Sequence, residues 1–380
     1  MKTETVRVLD EYAWNSDIFR ETFKQLDPTG IKILSTMAEI GPRNLRAVSR
    51  VTGIPFTTVC SRINRIESKS KRVVNLVPDV SKLGMTRLLV LVTAKPGLED
   101  IVSEALEIPN YWRAVERCEG PFTHHSIHIV PVKFQRTFEE YMSNMYAKNL
   151  LRSYRIIETG PSHSIFADFS SYDPALKEWE FTWDEWLLDV ATAVPTEGIT
   201  DPQRRSIGAR KIDFEIIREL ELNGRARFRE IAGKLKTSAQ TVKYHYDKLL
   251  APSGALRFHF DVAPYPVDIA AHHEFMLEFS DGASMNRFFS VSKKLFFIDQ
   301  IAKRLRRNVL LVRTRMINSQ VENMFTFFSE MTNAGLLTSY SAVRLRMENR
   351  IHQTISDELF DDEEGWKWDV YNNLLALNKL

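Results

Sequence analysis

Cysteine is nearly absent from this chain of 380 residues: there are two, Cys60 and Cys118. Two thiols cannot build a disulfide framework or a thiolate metal site, and a reducing compartment is expected. Glycine is sparse at 15 residues. None of it forms a phosphate-cradling loop, a GxGxxG turn or a nucleophile elbow. Long apolar runs are also missing. The longest, Leu88–Val92, is far short of a membrane span, so no membrane contact is expected. The opening residues MKTETVRVLDEYAW hold no apolar core, so no secretory signal is expected there. Charge of one sign does not dominate either: the formal net charge is +2, so any preference for a charged partner must lie in how charges are distributed. The remaining composition, 44% apolar and 26% charged, is that of a soluble cytoplasmic protein with material for sizeable cores. The length is a prior for two to four domains.

What is present is repetition. Residues 211–249 align without a gap onto residues 28–66, about 183 positions earlier. Ile216 and Ile217 fall on Ile33 and Leu34, Gly224 on Gly41, Phe228 on Leu45, Ile231 on Val48, Thr241-Val242 on Thr58-Val59, Tyr246 on Ile63 and Leu249 on Ile66. A period this long duplicates whole domains rather than the units of a solenoid. In the first copy Ile31, Leu34, Met37 and Ala38 have helical spacing, as do Leu45, Val48 and Val51, and then Val59, Ile63 and Ile66. Gly41-Pro42 and Gly53 end the first two helices, which predicts a helix-turn-helix. The second copy predicts helices over Ile212–Leu222, Phe228–Leu235 and Ala239–Leu250, with Ser238 as the N-cap of the last. Wing strands are expected at Arg72–Val77 and Ala255–Val262, and one short lead-in helix around Ser16–Leu26.

A second pattern follows each copy. Arg87–Ala94, Gly97–Glu107, Tyr111–Cys118, Thr123–Val132, Phe134–Tyr146 and Ser153–Thr159 read as βαββαβ. Glu274–Phe279, Ser284–Lys294, Phe297–Ala302, Asn308–Met316, Ser319–Thr332 and Ser339–Met347 repeat that order. This is the ferredoxin-like plan. Each half closes on an acidic, aromatic segment, 173–189 and 357–373, whose rings Trp183, Trp186, Trp368 and Tyr371 keep the same spacing. Three readings of these caps are open: ring packing onto a sheet, shielding of basic helices, and a docking surface for another protein. Packing is favoured because the rings keep register while the acids drift.

The third helix of each copy carries the candidate chemistry. With Val59 facing inward, Thr57, Ser61, Asn64, Arg65 and Ser68 point outward, flanked by Thr58 and Arg62. The second copy presents Gln240, Tyr244, Asp247 and Lys248, flanked by Thr241 and His245. Hydroxyl, amide and guanidinium groups of this kind read base edges and phosphates in a major groove. Residues 41–72 hold Arg43, Arg46, Arg50, Arg62, Arg65, Lys69, Lys71 and Arg72 against Glu67 alone, the local cation excess that phosphate neutralisation requires. The expected DNA contacts are therefore Thr57, Thr58, Ser61, Arg62, Arg65, Lys71, Arg72, Gln240, Thr241, Tyr244, His245 and Lys248, and the expected partner is double-stranded DNA. A three-helix module that binds protein is the bland alternative. The histidines do not have metal-ligand spacing. On a strand, His124 and His128 share a face but stand about 13 Å apart, and His125 points the other way. His272 and His273 are adjacent and equally poor chelators. No metal and no cofactor are expected, and no catalytic residue is assigned. Cys60 reads as a small buried side chain.

The third helix of the first copy, Thr58-Val59-Cys60-Ser61-Arg62-Ile63-Asn64-Arg65-Ile66-Glu67, resembles the T-V-x-x-R-I-x-x-L-E signature of the leucine-responsive regulator/AsnC family of winged helix-turn-helix transcription regulators. Residues 77–84, VPDVSKLG, are similar to that family's exit into its sensor domain. The second copy departs: Tyr244-His245-Tyr246 replaces the x-R-I element, and Val267 stands where a glycine belongs. The resemblance implies an α+β protein with two winged helix-turn-helix domains and two ferredoxin-like domains, arranged as an internal pseudo-dimer of sheets. Its divisions would be a lead-in at 1–25, helix-turn-helix domains at 26–81 and 204–263, αβ sensor/dimerisation domains at 82–170 and 264–350, a cap and linker at 171–203, and a C-terminal cap at 351–380. It also implies a transcriptional regulator that is not an enzyme, with a small-molecule effector and homo-oligomers through the αβ domains as further partners. The same fold family includes haem-pathway, sirohaem-type decarboxylases. Arg113, His124, His128, Arg304, Arg306 and Arg307 could be conscripted for such a site, although no matching motif is present. An adaptor of the transcription machinery is the third alternative.

Overall fold

The structure is a computed structural model. It describes residues 6–7, 26–69, 74–164, 169–176, 178–195, 197–203, 206–260, 265, 269–293 and 295–380. The expected lead-in helix falls almost wholly outside them, as do Lys71, Arg72 and Val267.

The chain is α+β. Its first three-helix unit comprises α1 (Pro28–Ile40), α2 (Leu45–Thr52) and α3 (Phe56–Lys69), followed by strand β1 (Val74–Pro78). The boundaries have local causes. Asp27 caps α1 by accepting from the Gly30 N–H, and Pro28 fills a first-turn position that needs no N–H. Gly53 ends α2 in the left-handed region. A first αβ unit follows: β2 (Met85–Ala94), α4 (Glu99–Glu107), β3 (Trp112–Glu119), β4 (His124–Pro131), α5 (Gln135–Ala147), β5 (Leu151–Thr159) and the short β6 (His163–Ser164). Next come a small hairpin, Tyr172–Asp173 with Glu178–Trp179, and α6 (Trp183–Thr192).

The order then recurs. The second three-helix unit is α7 (Lys211–Leu222), α8 (Phe228–Leu235) and α9 (Ala239–His245), which runs on into a π-helical turn at Tyr246–Leu250 and then β7 (Leu256–Phe260). The second αβ unit is β8 (Ala270–Phe279), α10 (Gly282–Ser292), β9 (Ile298–Lys303), β10 (Val309–Ile317), α11 (Val321–Asn333) and β11 (Leu337–His352). A hairpin, Phe360–Asp361 with Gly365–Trp366, and α12 (Val370–Leu377) complete the chain.

All the αβ strands belong to one sheet, in the order β5-β2-β4-β3-β11-β8-β10-β9-β6, and Val6–Arg7 pairs with β11. The last strand of each αβ unit thus runs to the second strand of the other: β11 pairs with β3, and β5 continues through β6 to β9. Thr159 bridges to Arg304 and the Gly160 N–H donates to the Lys303 carbonyl at 2.8 Å, so the two ends of the sheet meet.

Alternation along the strands sorts the side chains between two faces. Leu88, Val90 and Val92 pack outward with Val102, Leu106, Phe138 and Met142 of α4 and α5. Leu89 and Leu91 turn the other way and meet Met276, Ala302 and Leu311 from the second unit. On the second unit Phe275, Leu277 and Val312 pack with Phe288, Phe327 and Phe328.

Most rings of the aromatic caps pack, and the caps cross over; Tyr371, expected to pack with them, is instead 74% exposed. Trp179 stacks on Phe296 (ring centres 4.4 Å apart) and Trp186 on Phe327 (3.8 Å), both on the second αβ unit. Trp179 also joins Phe169 and Tyr172 against the core of the first three-helix unit. Conversely, Trp368 stacks on Tyr111 at 5.2 Å on the first αβ unit, and Phe360 and Trp366 enclose Phe214 of α7. Each cap therefore ties a three-helix unit to the αβ unit of the other half.

Candidate nucleic-acid interface

In the first unit, Val59, Ile63 and Ile66 are at most 2% exposed, so α3 turns its other face outward. Thr57, Ser61, Asn64 and Arg65 are exposed there, with Phe56 and Cys60 completing a shallow groove along the helix. Cys60 is half-buried in that groove rather than part of the core. The exposed side chains Lys32, Arg46 and Arg50 add positive charge nearby, and the Arg46 guanidinium lies over the Phe56 ring at 5.6 Å.

The two flanking residues behave differently. Thr58 is half-buried. Arg62 is ion-paired to Asp27 at 2.8 Å. Burial tends to raise the Asp27 pKa, but the Gly30 N–H and Arg62 outweigh it and hold the carboxyl below its usual range. Arg62 thus ties α3 to the cap of α1 through a partly exposed ion pair.

In the second unit Gln240, Tyr244, Asp247 and Lys248 are exposed, and Asp247 is paired to Lys243. Thr241 is half-buried, with its hydroxyl 2.8 Å from that of Ser238, which also caps α9. His245 corrects the sequence expectation. It is buried, and Nδ1 meets the fully buried Asp213 at 2.8 Å. Asp213 in turn accepts from the Arg210 N–H, so His245 anchors α9 on the start of α7 and does not face outward. The regular 100° step also fails past Tyr246, because the π turn inserts residues into the helical count. Leu250 fills the core position expected of Leu249.

The residues that could serve a decarboxylase site are scattered. Arg113 pairs with the buried Glu221, which also accepts from the Ile355 N–H at 2.7 Å. His124 lies on the helix-facing side, with Nδ1 2.8 Å from the Thr123 hydroxyl and Nε2 2.9 Å from the Glu99 carbonyl. His128 packs on Phe138 at 4.7 Å. Burial pulls the pKa of His124 down to about 4 and of His128 to about 3, so both are neutral near pH 7. Arg304 follows β9, its N–H bonded to the Val309 carbonyl. Arg306 and Arg307 line a cavity of about 430 Å³, together with Asp201, Glu278, Lys303 and Asn308. Arg306 is paired there to Glu158 at 2.7 Å. A neighbouring cavity of about 600 Å³ lies where β1, β6, β7 and the 198–207 connector meet, and includes Asp79, Lys82, His163 and Arg257.

Sequence reasoning overlooked one constellation altogether. Between the two αβ units, Arg313 bonds Glu274 at 2.9 Å and Glu116 at 3.2 Å. His125 stands 3.7 Å from Glu116 and 3.8 Å from Glu274, and Arg87 donates to the Thr159 hydroxyl at 2.8 Å. All of these side chains are buried. The signal was available: a charged residue at an inward position of an apolar strand, as Arg313 is in VLLVRTRMI. Among the described residues no group of three or more His, Cys, Asp or Glu is arranged to hold a metal ion.

Comparison with known proteins adds the following. Residues 210–251 match the winged helix-turn-helix DNA-binding family; the match falls on the second unit, not on the first, where the family signature was read. No protein of curated description matches the sequence. The crystal structure of the siroheme decarboxylase NirDL is similar over 94% of this chain and 99% of that one, at 12% identity and a TM-score of 0.53. NirDL in co-complex with an iron-uroporphyrin III analogue is similar over 79% of this chain and 84% of that one, at 11% identity and a TM-score of 0.46. An AsnC family transcriptional regulator from Agrobacterium tumefaciens is similar over 35% of this chain and 89% of that one, at 20% identity and a TM-score of 0.28. The first of these shows a shared fold across nearly the whole chain. It overturns the expectation that the chain is not an enzyme, because an enzyme is built on this same architecture. No helix among the described residues is long and apolar enough to cross a membrane.

Proposed function

We propose that this protein is a cytoplasmic, DNA-binding transcriptional regulator. In this reading both three-helix units are winged helix-turn-helix heads, and the two βαββαβ units are ferredoxin-like halves of an internal pseudo-dimer produced by tandem duplication. The observation that carries it is the outward face of the third helices: hydroxyls, amides and cations at Thr57, Ser61, Asn64 and Arg65, and at Gln240, Tyr244 and Lys248. The family match over 210–251 supports it for the second head. His245, buried against Asp213, drops out of the contact set. Phosphate contacts make affinity fall with salt, so the test is a gel-shift series with duplex DNA across salt concentration. Arg65→Ala and Lys248→Ala should each lower the slope of log affinity against log salt by about one. Absence of binding at low salt would refute the reading. A small-molecule effector and assembly through the αβ units belong to the same proposal.

A second reading is favoured by one observation, the whole-chain fold shared with a siroheme decarboxylase. In it the chain decarboxylates a polycarboxylate tetrapyrrole, and the adjoining cavities supply the cations for its carboxylates: Lys303, Arg306 and Arg307 in one, Lys82 and Arg257 in the other. Titration with siroheme, read as a shift of its visible absorption bands, decides it; an unchanged spectrum ends this reading.

A further inference from the structure

The two three-helix units bind each other directly. β1 of the first and β7 of the second form an antiparallel ribbon, from Val74 opposite Phe260 to Pro78 opposite Leu256. Where the ribbon begins, the α7–α8 turn docks on it: the Gly224 N–H donates to the Val74 carbonyl at 3.0 Å. A side chain at Gly224 would put its Cβ 2.7 Å from that carbonyl oxygen, so only glycine permits this approach.

Arg43, in the turn between α1 and α2, crosses the same seam. Its guanidinium donates to the carbonyls of Gly224 and Ala226, the latter at 3.0 Å. It also lies 5.3 Å from the ring centres of both Phe228 and Tyr246, and 5.7 Å from that of Phe258. Arg225 returns the contact through an ion pair with Glu67 of α3 at 2.6 Å. Tyr246 belongs to the π turn that continues α9, so the seam reaches the base of both third helices.

We propose that Arg43 is a positioning residue that locks the two heads into one rigid reader, so that the protein accepts a single separation and phase of DNA half-sites. This rests on the DNA-binding reading above. The forked guanidinium fixes the α7–α8 turn through two carbonyls, the ribbon restrains rotation, and the enclosing rings leave the fork little freedom. Heads on a loose tether could swivel to follow a displaced half-site. Heads clamped at the seam cannot, because half a helical turn moves the second half-site to the opposite side of the duplex.

The test uses the full-length protein and the tightest-binding duplex that it selects from a random pool. Central insertions of half a turn (about five base pairs) and a full turn (about ten) are then compared. Losing the second head removes a bivalent advantage on the order of a hundredfold, so the wild type should lose about that much on the half-turn insertion. Arg43→Ala should bind the selected duplex more weakly but lose only about threefold further on insertion, with Arg43→Lys in between. Hydrogen exchange at Val74–Pro78 and Leu256–Phe260 should quicken in Arg43→Ala while the αβ strands keep their protection. Should Arg43→Ala fail to fold, Glu67→Gln serves as the milder opening of the same seam. A wild type indifferent to the half-turn insertion, or an Arg43→Ala protein that keeps the full spacing penalty, overturns the proposal. If no duplex is selected or bound at low salt, the DNA-binding reading falls and takes the proposal with it. Unaltered ribbon exchange in Arg43→Ala would instead sink the clamp alone.

Discussion

Arg313→Met should destabilise the body of the protein by about 3–5 kcal/mol, the range for removing one partner of a buried ion pair. The substitution keeps the aliphatic length of the side chain and deletes the guanidinium. Arg313 serves two carboxylates, Glu274 at 2.9 Å and Glu116 at 3.2 Å, and all three side chains are at most 9% exposed. At an effective dielectric of about 20, each contact at such a distance is worth roughly 5 kcal/mol of gross Coulomb attraction, most of which is offset by desolvation. Burial lowers the Arg313 pKa, but the two glutamates outweigh it and raise the value well above the usual range, so the wild-type cation is held firmly. Without it, two carboxylates would share the interior with Arg87, whose own pKa is pulled down to about 10, first of all by burial. Protonating one carboxylate would relieve the strain, so the stability gap between Arg313→Met and the wild type should be narrower at pH 5 than at pH 8. Urea unfolding followed by circular dichroism measures both effects. Arg313→Met/Glu274→Gln should recover a substantial part of the loss. A cost under about 1 kcal/mol, or a double variant no more stable than the single, would refute the reasoning.

Three further outcomes are expected. Trp186→Ala removes the ring stacked on Phe327 at 3.8 Å and should cost about 3–5 kcal/mol, read as a lowered urea midpoint. Acid should weaken the fold between about pH 6.5 and 4, because His124, His125, His163 and His273 are all held down to about 4, first of all by burial. These imidazoles stay neutral in the folded state while the unfolded chain takes up protons, so stability present above 6.5 is lost as pH falls through the folded values; a pH series of urea midpoints flat over that window would contradict it. Cleavage beside the highly exposed Val194 should leave the two halves co-eluting in size-exclusion chromatography, since both caps and the β3–β11 pairing cross between them.

Much of this architecture was legible because short-range periodicity carries it. Val59, Ile63 and Ile66 mark a helix face, and the unbroken apolar run Leu88–Val92 marks a strand with two buried faces. The same reasoning failed where a residue's environment is set by distant chain. Nothing local to His245 announces Asp213, and nothing local to Arg62 announces Asp27. The π turn at Tyr246 broke the extrapolation that made Leu249 a core residue. Strand β11 continues to His352, beyond the expected Met347, because β3 of the other half offers it partners. The packing of Trp183, Trp186 and Trp368 was readable from the ring spacing but the exposure of Tyr371 was not, and an aromatic pattern does not say what a ring packs against. Lys71 and Arg72 lie outside the described residues.

The interior charges bear on why the two halves pair within one chain. The half-to-half contact is apolar at Leu89, Leu91, Met276 and Leu311, and apolar surfaces of similar shape discriminate poorly between partners. The charged cluster is not shared evenly. The first half contributes Arg87, Glu116 and His125, and the second contributes Glu274 and Arg313. Two first halves facing each other would bury Glu116 with no Arg313 to bridge it to Glu274. Two second halves would keep the Glu274–Arg313 pair but lose Glu116, leaving part of the Arg313 charge without its second partner. Either mismatch would leave a buried charge incompletely compensated, a cost of several kcal/mol that the correct pairing avoids. The cluster thus adds little to stability beyond what well-packed apolar residues could supply, and first-with-second pairing is the arrangement in which Glu116 and Glu274 both reach Arg313.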